Sequence, residues 1–212
     1  MKIFITGGTG FLGKTIVKKL LADGHNVTCL LLPDDDSSSV TGAEIIRGDI
    51  TRPDTLTHKT AGHDAIVHLA GAVGYGQTWD NCNRLNRDGT SNIAEEAVRS
   101  GARRFIHMSS VSVYGRVSGT PIPEDFPVTK IKDPYGDTKI DAENILKKYV
   151  KNGDLDLTVI RPTMIYGPGD TLFLPKVIEN IKGGKARIIG KGDNRVDCIH
   201  ISDVADFVSM II

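Results

Sequence analysis

Short apolar runs recur along the chain, each followed by a longer stretch with helical spacing. KIFIT (2–6), VTCLLL (27–32), EIIR (44–47), AIVHLA (65–70), RFIHMS (104–109) and LTVIR (157–161) are near-continuous rather than alternating. That pattern marks strands of a parallel sheet covered on both faces. Leu12, Ile16, Leu20 and Leu21 fall near a 3.6-residue spacing, which predicts a first helix from about Phe11 to Ala22 with Gly24 past its end. A second helix is expected from about Trp79 to Ser100, closed by Gly101. A third begins near Tyr135, just after Pro134, and ends around Lys151 before Gly153. Six strands joined by such crossovers predict an α/β fold, a doubly wound parallel sheet.

After Pro162 the pattern loosens into loops, with a helix near Leu174 to Ile181 and short strands around Ile188 and Cys198. The chain is therefore expected to divide into a larger domain over 1–162 and a smaller, incomplete C-terminal substrate lobe over 163–212. PDDDSSS (33–39) reads as a solvated loop after the second strand.

TGGTGFLG (6–13) falls where the first strand passes into the first helix, with four glycines in eight residues. Glycines there let the backbone turn sharply and leave room for a pyrophosphate against the free amides of the helix, whose dipole favours an anion. Gly7, Gly10 and Gly13 satisfy GxxGxxG, and Gly8, Gly10 and Gly13 satisfy GxGxxG. Between strand and helix, this predicts dinucleotide binding by a Rossmann domain, with Gly7, Gly10, Phe11, Leu12 and Gly13 at the cofactor. The alternative is a tight turn that only packs helix on sheet. The acid that usually binds ribose at the end of the second strand is missing: Leu31 and Leu32 stand there, Asp34, Asp35 and Asp36 follow, and no Arg accompanies them. Three carboxylates would repel a 2′-phosphate, so the expected cofactor is NAD, with NADP not excluded.

SSVSVYG (109–115) follows the fifth strand, and YGDTK beyond it sets Tyr135 and Lys139 at i and i+4, on one helix face. A tyrosine acting as base near neutral pH needs its pKa lowered by about three units, roughly 4 kcal/mol. A lysine ammonium and a nicotinamide cation in a site of low dielectric could supply that. Tyr135 would then exchange a proton with the substrate oxygen while hydride moves between the attached carbon and the nicotinamide. Ser110 would hold the same oxygen, and Lys139 the nicotinamide ribose. The plainer alternative is an amphipathic helix with an exposed lysine.

Composition narrows the partners. The 26 basic and 26 acidic side chains balance, so no net field draws nucleic acid or an anionic membrane, and a small-molecule substrate is expected. A chain of 212 residues with 40% hydrophobic content can bury a substantial core. No run reaches the ~18 apolar residues of a membrane span. Cys29, Cys82 and Cys198 are scattered and odd in number, which points to a reducing, cytoplasmic location and to no metal site. His68, His107 and His200 read as core or site-lining residues. Asp133, Asp137 and Asp141 suit the start of the third helix. Tyr75 and Trp79 could border substrate or anchor the core.

With these motifs assembled, the chain resembles the extended short-chain dehydrogenase/reductase family, the NAD-dependent epimerase/dehydratase group. TGGTGFLG, GDI (48–50), HLAG (68–71), NRDGT (86–90), SSVSVYG, the Tyr135–Lys139 pair, RPTMIYGPGD (161–170) and HISDVAD (200–206) carry the likeness. It implies that Asp49 and Ile50 border the adenine, that Ala70, Gly71 and Ala72 line the cofactor, and that Asn86 supports its nicotinamide side. Pro162 would sit by the nicotinamide amide, and Ser110, Tyr135 and Lys139 would be catalytic. A homodimer through helices on the outer face is also implied.

Three departures shape the expected activity. Val111 and Ser112 replace the Asp-Glu pair with which sugar-nucleotide dehydratases of the group follow the catalytic Ser or Thr, so dehydration is not expected. Thr163 and Met164 stand where many sugar-nucleotide members carry Asn. Together with RPTMIYGPGD and IGKGDNRVD (189–197), this is similar to the 3β-hydroxysteroid dehydrogenase branch. Members of the group also continue past Ile212, so a fragment that binds cofactor yet turns over poorly is expected. The leading expectation is NAD(P)-dependent hydride transfer at a secondary alcohol or ketone carbon by a nucleotide-sugar epimerase-type enzyme. A 3β-hydroxysteroid dehydrogenase-like or other ketone reductase is the second reading, and a non-catalytic dinucleotide sensor the third.

Overall fold

Alternate residues of KIFIT point to opposite faces, and each face meets its own layer of helices. In the computed structural model, which describes residues 1–74, 76–117, 121–188, 190–193 and 195–212, Lys2–Thr6 (β1) lies at the centre of a six-stranded sheet. Asn26–Leu31 (β2) and Glu44–Arg47 (β3) extend it on one side. Ala65–His68 (β4), Arg104–Met108 (β5) and Asp156–Ile160 (β6) extend it on the other. The order β3-β2-β1-β4-β5-β6 is parallel at every pairing, the predicted doubly wound Rossmann sheet. The chain reverses its direction of travel between β1 and β4, and the crevice outside that switch point is where such sheets bind ligands.

Ile3 and Ile5 face Phe11–Ala22 (α1), whose Ile16, Val17 and Leu20 complete that core. Phe4 faces the other way with Ile66 and Phe105, beneath Ile93 and Ala97 of Gly89–Ser100 (α3) and Leu146 of Pro134–Lys151 (α4). Helix ends obey local chemistry. Gly101 closes α3 in the left-handed conformation at φ 77°. Asp133 caps α4 by accepting from the Gly136 amide at 2.7 Å, with Pro134 in its first turn. Among the described residues no helix is long and apolar enough to cross a membrane.

The second helix is not continuous. Trp79–Cys82 (α2) passes into a π-helical segment over Asn83–Asp88 before α3 begins. The wider turn faces Asn86 inward, where its carboxamide meets the chain after β4 and the start of α4.

The C-terminal stretch also differs from its expected pattern. Met164–Tyr166 (β7) pairs in parallel with Cys198–His200 (β8), whereas Ile188 lies outside any strand at 83% exposure. Leu174–Lys182 (α5) forms near the expected bounds and buries none of its residues. A last helix, Ile201–Ile211 (α6), follows β8 at once and packs Val204, Ala205 and Val208 into the α1 side of the core. The 163–212 stretch thus contributes one helix to the layer over the main sheet. Tyr75, Ile189 and Asn194 lie outside the described residues.

Phe105 is fully buried at the centre of the α3–α4 face. Phe105→Ala is expected to lower unfolding free energy by about 3–5 kcal/mol, measured by urea denaturation.

Candidate functional site

The glycine turn is built by backbone pressed on backbone. Gly7 has φ 73°, and a Cβ there would lie 2.7 Å from the Ala70 amide nitrogen. A Cβ on Gly13 would overlap the Gly7 carbonyl oxygen. These contacts bring the end of β1, the start of α1 and the chain after β4 to one point. Gly10 provides no side-chain cap, and the first turn holds no acid, so the amides of Phe11, Leu12 and Gly13 face the crevice as donors for an anion. That cradle fits a pyrophosphate.

Beyond the turn, the loop after β4 is tied to both neighbours. The Ala70 amide donates to the Thr6 hydroxyl at 3.2 Å, and the Ala72 amide to the Asn86 side-chain oxygen at 2.8 Å. The Asn86 amide group donates to the Ala72 carbonyl at 3.3 Å and the Thr138 hydroxyl at 3.2 Å. Gly71 lies where a Cβ would be 2.7 Å from Asn86 Oδ1 and 3.4 Å from Lys139 Nζ. Asn86 is fully buried and couples the loop that would line the cofactor to the helix carrying Tyr135 and Lys139.

At the other end of the crevice, the Asp49 carboxylate accepts from the Thr51 amide and hydroxyl, both at 2.8 Å. The Ile50 side chain is buried against Gly89, and its carbonyl accepts from the Asn92 amide group at 2.7 Å. No Arg follows β2 in sequence, yet the β2–β3 register sets Leu31 beside Arg47. Arg47 Nη1 donates to the carbonyls of Leu32 at 2.7 Å and Asp35 at 2.8 Å. The edge read as purely acidic therefore holds a guanidinium.

The catalytic candidates come from two elements. Ser110 follows β5; its hydroxyl accepts from the Ser112 amide at 3.1 Å and donates to the Ser112 hydroxyl at 3.0 Å. Tyr135, partly exposed, is the second residue of α4, and Lys139 lies one turn further in at 5% exposure. Lys139 Nζ donates to the Met108 carbonyl at 2.9 Å. Burial lowers the Lys139 pKa to about 8, with Glu143 and then Cys82 pulling it back up. Tyr135 departs from the sequence expectation: burial raises its pKa, the Ser110 hydroxyl opposes that, and Cys82 and Asp133 add to the rise. No positive charge among the described residues is a cause of the Tyr135 shift. Pro162 follows β6, and its carbonyl accepts from the Val111 amide at 3.2 Å, beside Ser110.

Residues set aside from chemistry behave variously. His68 bridges the hydroxyls of Thr6 at 2.7 Å and Thr90 at 3.0 Å, and burial lowers its pKa to about 3. His107 stacks on it at 5.6 Å, with neither ring nitrogen partnered. His200 caps α6, where its Nδ1 lies 2.7 Å from the Ser202 hydroxyl. Burial pushes the Cys29 thiol up to about 11. Among the described residues no cluster of three or more metal-ligating side chains occurs.

Sequence reasoning missed Ser109, Glu143 and Arg161. Glu143 is almost wholly buried and accepts from Ser109 Oγ at 2.7 Å, and from Arg161 Nε at 2.9 Å and Nη2 at 2.6 Å. Its signal was available: Glu143 lies at i+4 from Lys139, on the face already assigned to Tyr135 and Lys139.

The buried ammonium has a measurable signature. The unfolded chain holds the lysine proton up to the ordinary value of 10.5, and the folded chain only to about 8. Unfolded molecules therefore bind more protons between those values, and stability rises with pH across that window. Relative to Lys139→Met, the wild type is expected to gain about 3 kcal/mol from the lower to the upper limit in paired urea titrations.

The chain resembles several proteins of known activity. The chain is 33% identical over 214 residues to 2-alkyl-3-oxoalkanoate reductase of Stenotrophomonas maltophilia, an alignment covering 97% of this chain and 63% of that protein. It is 33% identical over 229 residues to UDP-glucose 4-epimerase of Mycolicibacterium smegmatis, covering 97% and 71%. UDP-glucuronic acid 4-epimerase from Bacillus cereus, solved in complex with NAD, superposes with a TM-score of 0.84 at 27% identity, covering all of this chain and 74% of that one. The chain thus spans from 63% to 74% of the length of these relatives. The sequence profile of the NAD dependent epimerase/dehydratase family matches residues 3–212, and the chain belongs to that family.

Proposed function

We propose that this chain binds NAD along the crevice from Asp49 to Pro162 and carries hydride transfer at a secondary alcohol or ketone carbon, as a nucleotide-sugar epimerase-type enzyme. The observation that carries the reading is the approach of Gly71 to the Lys139 ammonium, which joins the cofactor-lining loop to the catalytic helix. Gly7, Gly10, Phe11, Leu12 and Gly13 would hold the pyrophosphate. Ala70, Gly71, Ala72 and Asn86 would line the nicotinamide half. NAD, when bound, supplies the hydride acceptor or donor. Tyr135 holds or takes the proton of the substrate oxygen, Ser110 donates a hydrogen bond to that oxygen, and Lys139 binds the nicotinamide ribose.

Its support is the family match together with the presence of an epimerase among the relatives. A ketone reductase is the second reading, favoured by Thr163 and Met164 in place of an Asn and by the 2-alkyl-3-oxoalkanoate reductase relative. In either case residues 1–162 would serve the cofactor and 163–212 would begin the substrate lobe. The partner would be a small molecule in the cytoplasm, with a second copy of the chain docked through the outer helices.

Thermal melting with NAD and with NADP tests the cofactor assignment. A clear rise with NAD is expected, and it should vanish in Gly13→Val, whose side chain would occupy the turn. Tyr135→Phe is expected to keep NAD affinity within a few-fold while abolishing turnover of UDP-sugars or alkyl ketones. Retained turnover in that variant would overturn the proton-transfer role.

A further inference from the structure

We propose that Glu143 and Arg161 form a positioning strut that holds the segments carrying Ser110, Lys139 and Pro162 and maintains the positive charge of Lys139. The inference rests on the proposed contact between Lys139 and the cofactor ribose.

One carboxylate and one guanidinium connect four elements. Glu143 on α4 binds Ser109, the neighbour of Ser110, and takes two hydrogen bonds from Arg161, the neighbour of Pro162. Arg161 Nη1 donates to the Tyr114 hydroxyl at 2.9 Å and to the Glu124 carbonyl at 3.2 Å, with the guanidinium 5.1 Å from the Tyr114 ring centre. Tyr114 ends the 3-10 turn that begins after Ser110. The ties to Ser109 and Tyr114 fall on the segment that carries Ser110, and Arg161 itself precedes Pro162.

Stability alone does not account for such a pair. Apolar replacements of buried ion pairs are often neutral or stabilising, because desolvation offsets the Coulombic gain. Geometry and charge do account for it. Lys139 is faced by Cys82 from α2, His68 from β4, His107 from β5, and Tyr135 and Glu143 from its own helix. Both histidines are neutral through burial, so the Glu143 carboxylate is the negative charge in that group. It opposes the loss of the ammonium proton, while Arg161 and the rim contact of Lys147 at 3.6 Å limit its field.

The two members of the strut therefore act on Lys139 with opposite sign. NADH affinity, read from its fluorescence, is expected to fall as pH rises through the Lys139 value of about 8. In Glu143→Gln the midpoint should move down by about one pH unit, so affinity at the wild-type midpoint drops about fivefold. In Arg161→Gln the unpaired carboxylate should move the midpoint up. Glu143→Asp, which keeps the charge, should restore the wild-type midpoint. If Glu143→Gln does not fold, the upward shift in Arg161→Gln carries the test alone.

Midpoints that move together, or not at all, would overturn the strut and leave the cofactor site standing. A flat wild-type profile would overturn both the strut and the Lys139–ribose contact while leaving the glycine turn intact. No NADH binding at any pH would overturn the whole reading.

Discussion

A lysine ammonium held almost out of water, beneath the first turns of α4, is the constraint around which the rest of the site is arranged. Burial draws its pKa down to about 8, and among the described residues the Met108 carbonyl accepts its hydrogen bond. Everything adjacent answers to that charge. The stacked His68 and His107 stay neutral beside it, first through burial and then through repulsion by the lysine. Glu143 supplies the compensating carboxylate and is itself held in the charged form by Arg161 and Ser109. The site is thus electrostatically prepared on the protein side before any ligand enters.

Tyr135 shows what that preparation leaves undone. Its hydroxyl lies in the same low-dielectric region, and burial makes its ionised form less favourable. Its raised pKa keeps the side chain protonated in the protein alone. In the proposed reaction, a tyrosine held this way would carry no stray phenolate in the absence of cofactor.

Much that depended on spacing within one element was legible in the sequence. The glycine turn, the strands and the Tyr135–Lys139 face each follow from a local period or a conformational requirement. What escaped depended on contacts between elements. Glu143 and Arg161 are 18 residues apart and meet because β6 brings its end under α4. The interruption of the second helix was invisible because Asn83–Asp88 contains no glycine or proline to mark a break. Its wider turn is stabilised by the bonds of Asn86 to Ala72 and Thr138, which no propensity encodes. Helix α6 did leave a signal, in Ile201, Val204, Ala205 and Val208. Because β8 runs into it without a turn residue, the two periods merge.

The adenosine end of the crevice shows most clearly why counting charges along a chain misleads. Asp34, Asp35 and Asp36 in succession suggest a strongly negative edge hostile to a phosphate. In the fold, the Asp36 carboxylate is occupied by Ser38, and the Asp35 carboxylate accepts from the Leu32 amide. Arg47, brought over by the β2–β3 register, donates to the carbonyls of Leu32 and Asp35 in the same loop, and Lys14 from α1 also acts on Asp36. The local field is mixed in sign. Discrimination between a ribose hydroxyl and a ribose phosphate at this edge must therefore come from which groups reach the 2′ position. The main-chain contacts of Arg47 would bear on that as much as the number of aspartates, because a guanidinium nitrogen committed to two carbonyls is less free to bind a phosphate.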